Sequence, residues 1–325
     1  MKWNAGTTAI AGAAGLALVL SGCGGAGSGD GEGVGAEFIT IATGGSSGVY
    51  YQVGATMSEM LAAELGSDTS VQATGASVEN INLLASEDVE LAFAMGDAVT
   101  QATEANGVFE GEEPVELQAI ASLYDQYIQL ITLEGSGIEG VEDLKGKRVS
   151  VGDLNSGLDL NTQMVVDAYG MSYDDFNADY LPYSEAIDQM RNQQIDAAFV
   201  TSGLPNSAVT DLATTDDLVL VPIEGDGRDT LLEQYDFLAE APIPADVYDQ
   251  EGDVESVTIP NVLLVGTQLS DDAVYDITAT LFDNLDTLHN SHNAAKDITL
   301  EGVSEGLTID MHPGAQRYFE EAGAL

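Results

Sequence analysis

The feature that most constrains the fold is a repeated three-part unit: a β-rich run, a turn of small polar residues, then a helical pattern. FITIAT leads through GGSSG into VYYQVGATMSEMLAAEL, SVQAT through GAS into VENINLLAS, and ELAFAM through GD into AVTQATEA. KRVSVG then leads through DLNSG into LDLNTQMVVDAYG, ADYLPY into SEAIDQMRN, and DAAFV through TSGLP into NSAVTDLAT. Strands alternating with helices predict an α/β fold, a mainly parallel sheet covered by helices on both faces. The 325 residues are enough for two such domains. In open sheets of this kind ligands sit beyond the carboxyl ends of the strands, where helix starts present unpaired N–H groups and a positive dipole end. The small polar turns all fall on that edge. DLKGKR, with Lys145, Lys147 and Arg148, precedes its strand and is therefore expected at the opposite edge, as a surface loop.

At the N-terminus, MKWNAGTTAIAGAAGLALVLSGC places one Lys, an apolar stretch from about Ala9 to Leu20, and small residues ahead of Cys23, the single cysteine. A spanning helix needs roughly 20 apolar residues, so the stretch reads as a secretory signal over residues 1–22 with a lipoprotein-type cleavage box. Cys23 is then a lipidation site that anchors the chain to the outer face of the cell membrane. No Arg pair precedes the stretch, so the twin-arginine route is not indicated. The Gly-rich run over residues 23–36 buries too little apolar surface to fold and reads as a flexible tether.

Asp and Glu number 55 against eight Lys and Arg, a formal charge of −47. Such a charge disfavours nucleic acid and anionic membrane surfaces as partners, and at low salt it drives the folded state apart by self-repulsion. At about 1 M salt the Debye length falls to about 3 Å and the repulsion is screened. Because the acids are spread along the chain, they read as the solvent-facing surface of a halophile's protein. No calcium-type D-x-D-x-D-G loop is present, and neither a metal nor a cofactor is expected.

Gly44-Gly45-Ser46-Ser47-Gly48 matches the G-x-S-x-G pattern of a hydrolase nucleophile elbow, a pattern that also describes an ordinary strand-to-helix turn. One strand precedes Ser46, so no upstream loop is available to form an oxyanion hole. The three histidines, His289, His292 and His312, all lie near the end of the chain, in HNSHNAAK and MHPG, without zinc-pair spacing. The expectation is a loop that binds an anionic or polar group at a helix start, with no catalytic residue. A serine hydrolase using the GGSSG loop is the alternative.

ITIATGGSSGVYYQVG, TGASVENINLL, DLKGKRVSVGDLNSG, IDAAFVTSGLPNSAVTDLA, VTIPNVLLV and HPGAQRYFEEAG together resemble the TRAP-associated extracytoplasmic immunogenic (TAXI) family of solute-binding proteins, from Phe38 to Gly323 and in the family's order. The resemblance implies a two-lobed, type II periplasmic-binding-protein fold with the ligand cleft between lobes. It also implies an extracytoplasmic receptor, not an enzyme, that acts as a monomer and delivers a small solute to a TRAP-type membrane transporter. The chain would leave the first lobe near SLYDQYIQLIT and return near VTIPNVLLV, giving lobe 1 as residues 36–128 and 258–325 and lobe 2 as 129–257. The run from EGDGRD to QEGD reads as irregular and acidic.

Expected ligand-binding residues are Ser46, Ser47, Gly48, Tyr50, Ser77, Glu79, Asn80, Asp97 and Tyr124 from the first lobe. Ser156, Gly157, Ser202, Gly203 and Asn206 are expected from the second. Met95-Gly96-Asp97 and Leu158-Asp159 depart from the residues common in that family, and no Arg stands at any strand-end turn. The solutes associated with the family are amino acids such as glutamate, and dicarboxylates. Without Arg, a carboxylate would be held by amides and hydroxyls, while Asp97 or Glu79 suits an ammonium group, which favours an amino acid. A ligand-binding sensor would use the same cleft.

Overall fold

The computed structural model describes residues 37–325; the expectations for the signal segment 1–22, the tether over 23–36 and lipidation at Cys23 lie outside the described residues. The chain runs through β1 (Phe38–Ala42), α1 (Val49–Leu65), β2 (Asp68–Gln72), α2 (Ser77–Ala85), β3 (Leu91–Met95) and α3 (Gly96–Glu104) into the long strand β4 (Gln118–Leu133). There follow β5 (Arg148–Ser150), α4 (Gly157–Ala168), β6 (Asn177–Asp179), α5 (Tyr183–Arg191), β7 (Ala197–Ser202) and α6 (Ser207–Thr215). Then come β8 (Leu218–Val221), α7 (Gly225–Gln234), β9 (Ala239–Glu240), β10 (Val257–Val265), α8 (Asp271–Phe282), α9 (Leu285–Ser291) and α10 (Pro313–Ala322).

The strands form one sheet in the order β2-β1-β3-β10-β4-β7-β5-β6, with β8 paired to β4 and β9 to β10. The repeated units supply its parallel pairs, β1 with β2 and β3, and β5 with β6 and β7. β4 and β10 add antiparallel pairs, to each other and to β7 and β3. These two strands carry the chain between two halves of the molecule. β10 pairs with β3 through Asn261–Val265, and β4 pairs with β7 through Tyr127–Thr132. The run expected to be irregular contains α7 and β9.

Each half buries both faces of its part of the sheet. Ile39, Ile41, Leu91, Phe93, Leu263 and Val265 face α1, α8 and α10, whereas Ala42, Ala92, Ala94, Val262 and Leu264 face α2 and α3. This is the two-residue alternation of strands covered on both sides. In the other half Leu130, Ala197 and Phe199 face α4 and α7, and Ile131, Ala198 and Val200 face α5 and α6. The halves interlock: Met95, at the end of β3, packs in the core around α4, and Leu160 of α4 packs in the core around α2 and α3.

The basic loop sits where its order in the chain predicts, ahead of β5. Lys147 Nζ donates to the Ser136 carbonyl at 2.8 Å, and Arg148 is bound to Asp196 with Nε donating at 3.0 Å. The histidines serve local structure. His289 Nε2 meets the Ile298 carbonyl at 2.8 Å, while His292 Nδ1 and His312 Nδ1 accept from the amides of Ala294 and Gly314, each at 3.1 Å.

Candidate functional site

Helix starts usually carry a Ser, Thr, Asp or Asn whose oxygen accepts a first-turn N–H. Asn206, Ser270 and His312 cap α6, α8 and α10 with side-chain acceptors. At α1, α2, α3 and α5 the capping position is held instead by Gly48, Ala76, Met95 and Pro182, with no side-chain cap. Ser156, ahead of α4, accepts from the Asp159 amide at 3.1 Å. All five of these residues line one cavity of about 50 Å³ between the halves.

The first turns of α2, α3, α4 and α5 contain Glu79, Asp97, Asp159 and Glu185, which complement the positive end of each helix, but that of α1 contains no acid. The start of α1, with Gly48, Val49 and Tyr50 at the cavity wall and the Gly48 amide donating to the Gly45 carbonyl at 2.8 Å, therefore has no acidic side chain in its first turn. The rest of the wall is largely apolar, from Met95, Leu158, Leu181 and Tyr183. Among the described residues that line it there is no Lys, Arg or His, and the one acid is Asp153. Burial raises the Asp153 carboxyl above its ordinary range, and the charges of Glu185 and Glu79 raise it further.

Three buried polar groups on the wall lack a protein hydrogen bond: the Tyr50 hydroxyl, Gln126 Nε2 and Thr201 Oγ1. The Tyr50 hydroxyl faces Ser77 without completing a hydrogen bond to it. Gln126 similarly faces the Tyr124 hydroxyl, and that hydroxyl too is unpartnered. Gln126 and Thr201 are 2% and 3% exposed, so water does not serve them at the outer surface. Buried groups of this kind are ordinarily paired, and leaving one unpaired costs about 1–3 kcal/mol. The Tyr183 hydroxyl fixes the neighbouring backbone by donating to the Thr201 carbonyl at 2.6 Å.

Of the residues expected from the sequence, Gly48, Tyr50, Ser156 and Ser202 line the cavity. Ser46 is exposed, and the Ser47 carbonyl accepts from the Ser207 hydroxyl at 2.7 Å, tying the GGSSG loop to the start of α6 in the opposite half. Asn80 lies off the cavity wall, with Nδ2 donating to the Thr43 and Phe93 carbonyls and Oδ1 accepting from Thr74 Oγ1. Ser77 Oγ accepts from the Met95 amide, and Glu79 is exposed and accepts from the Gly75 amide. Asp97 lies off the cavity wall, buried, with Oδ2 accepting from Asn161 Nδ2 at 2.7 Å; burial pushes its carboxyl up to about 7. Neither Asp97 nor Glu79 lines the cavity, whereas Asp153 does.

Gly157, Gly203, Tyr124 and Asn206 stand behind the wall, where the halves meet. A Cβ on Gly157 would lie 2.6 Å from Ser77 Oγ, and one on Gly203 would lie 2.9 Å from Tyr124 Cε2 and 2.7 Å from Ala294 Cβ. Asn206 accepts from the Ala208 and Val209 amides and donates to Ser202 Oγ. Among the lining residues not anticipated are Gln126 on β4, Asp153 in the DLNSG turn, Thr201, and Leu181-Pro182-Tyr183 ahead of α5. Three or more His, Cys, Asp or Glu placed to hold a metal do not occur among the described residues, nor does a helix long and apolar enough to cross a membrane.

A sheet in two halves linked by crossing strands, with helix starts converging on the cavity between them, is the periplasmic-binding-protein-like α/β architecture. The chain belongs to the NMT1-like family, whose profile matches residues 41–323. Solved structures share the fold at low identity. A periplasmic transporter superposes with a TM-score of 0.58 at 14% identity, over 88% of this chain and 92% of its own. A protein of Bordetella bronchiseptica RB50 gives 0.54 at 15% identity, over 89% of each chain. A putative L-cystine ABC transporter from Listeria monocytogenes gives 0.50 at 15% identity, over 81% of this chain and 98% of its own.

Proposed function

We propose that the protein is an extracytoplasmic solute-binding receptor that hands a small polar or anionic solute to a membrane transporter, and that it has no catalytic activity. The observation that carries this reading is the cavity itself: five helix starts, and three residues with unpartnered buried polar atoms, line one cavity between two halves linked by β4 and β10. In this reading the lobes are residues 36–128 with 258–325, and 129–257. Membership of the NMT1-like family and the likeness to binding proteins of ABC-type transport support the receptor role. The sequence resemblance to TAXI proteins supports a TRAP-type transporter as the partner. Lipidation at Cys23 would keep the receptor, a monomer, at the outer membrane face, and the acidic surface would suit it to high salt.

The hydrolase alternative has less support, because Ser46 is exposed and off the cavity wall while the three histidines are engaged elsewhere. The test of the receptor reading is thermal melting against a broad panel of amino acids, carboxylates, sulfonates and phosphonates. At least one should raise Tm in proportion to the logarithm of its concentration; a flat response across the panel would contradict the reading.

A further inference from the structure

We propose, resting on the receptor reading, that Asp97 and Asn161 form a proton-controlled latch: with Asp97 protonated the two halves hold together, and with Asp97 ionised they part and release the solute. The pair lies on the seam between the halves. Asp97 stands in the first turn of α3 in one half, Asn161 lies on α4 in the other, and the 2.7 Å hydrogen bond from Asn161 Nδ2 to Asp97 Oδ2 joins them. The seam is closed to solvent, with Asp97 1% and Asn161 0% exposed. Packing beside the pair interlocks the halves: Met95 of β3 sits in the core around α4, Leu160 of α4 sits in the core around α2 and α3, and a Cβ on Gly157 would lie 2.6 Å from Ser77 Oγ. Parting the halves therefore uncovers Asp97, whereas an ordinary core carboxyl is uncovered only by unfolding.

Charge decides which protonation state favours the closed seam. Asp97 takes part in none of the ion pairs among the described residues, where Arg148, Arg191, Arg228 and Arg317 are held by Asp196, Asp216, Glu240 and Asp272. A buried carboxylate without a cation is disfavoured, and the penalty falls when water reaches it. The groups that approach it from neighbouring elements supply no positive charge. Tyr50 of α1 and Tyr235 beyond α7 are the titratable groups that feel its charge, Asn161 of α4 is an amide, and Pro260 of β10 packs beside Gly96. Burial accordingly raises the carboxyl to about 7, against the opposing hydrogen bonds of the α3 amides and Asn161. Opened to water, it returns toward the ordinary value of about 3.9. Closing then takes up close to one proton between those two values, so the closed form is favoured fully at the acid end and loses up to about tenfold in its equilibrium constant for each pH unit of rise. Above about 7 the loss is complete.

Small-angle scattering of the full chain, freed of solute by dialysis and held in molar potassium chloride, reads the latch directly across the range from about pH 5 to about pH 9, where ordinary surface carboxyls are already ionised. The radius of gyration should grow as pH rises and level off above about 7. Asp97→Asn keeps the size of the protonated acid without its charge and should stay compact throughout. Asp97→Ala, a second variant with no carboxyl at this position, should likewise show no dependence on pH over this range. A flat profile in the unaltered chain would overturn the latch whether or not either variant folds. So would an expansion with pH in either variant equal to that of the unaltered chain. None of these outcomes bears on the receptor reading, which falls only if the whole melting panel is silent.

Discussion

Asp97 Oδ2 accepts a 2.7 Å hydrogen bond from Asn161 Nδ2, joining the start of α3 to α4 across the boundary between the two halves. Both residues are buried. Burial favours the protonated form of Asp97 and raises the carboxyl from 3.8 to about 7, opposed by hydrogen bonding from the α3 amides and Asn161. Tyr50 of α1 and Tyr235 beyond α7 are the other titratable groups near enough to feel its charge.

The linkage sign follows from the upward shift. The folded chain holds this proton at pH values where the unfolded chain has lost it, so the contribution is complete below about 4 and falls away as pH rises through about 7. Its full size is on the order of 4 kcal/mol at most. Asp97→Asn should therefore flatten this part of the stability profile, and denaturant titrations of both proteins from acid to neutral pH should give a difference that changes over that interval. A constant difference would contradict the assignment.

Much of the fold is legible because the physics is local. ELAFAM reads as a strand and supplies β3, and SEAIDQMRN reads as a helix and forms most of α5. The strand reading of ADYLPY fails in part, since only Ala178 and Asp179 of it pair in β6, and Pro182, with φ −65°, starts α5 and brings Tyr183 to the cavity. Gln126 carries no local signal, for its position on the wall depends on β4 lying beside β10. Serines mark several strand-end turns, but a serine at a helix start also serves the backbone. Ser77 does so by accepting from Met95, whereas Ser202 both accepts from Asn206 and lines the cavity.

Ser46→Ala removes a hydroxyl that is exposed and outside the cavity wall. Solute affinity and stability should each change by no more than about 0.5 kcal/mol, as for surface substitutions in general. A serine-directed phosphonate should leave the protein unlabelled; stoichiometric labelling at Ser46 would contradict the receptor reading.

With a formal charge of −47 on the chain, lowering salt restores repulsion that molar salt screens. Tm in potassium chloride should fall steadily from molar to millimolar concentration. Melting curves that coincide across that range would contradict the halophilic reading of the surface.

Gly203→Val places a branched side chain where Tyr124 and Ala294 leave no room for a single Cβ. The substitution should prop the halves apart, weakening solute binding by roughly tenfold or more for about 1–3 kcal/mol of overpacking. Small-angle scattering should show a radius of gyration larger than that of the solute-bound parent. Unchanged affinity would show that the contact of Gly203 with Tyr124 is not needed for binding.

The cavity between the halves is the centre of this account, and the solute it retains is the most direct evidence for it. The protein should be purified without denaturation, unfolded, and its released small molecules identified by mass spectrometry. The expected result is one equivalent per chain of a small polar or anionic solute, lost when Gln126→Leu and Thr201→Val are combined to remove polar groups of the cavity wall. Release of no solute, together with no solute that can be loaded back, would contradict the account.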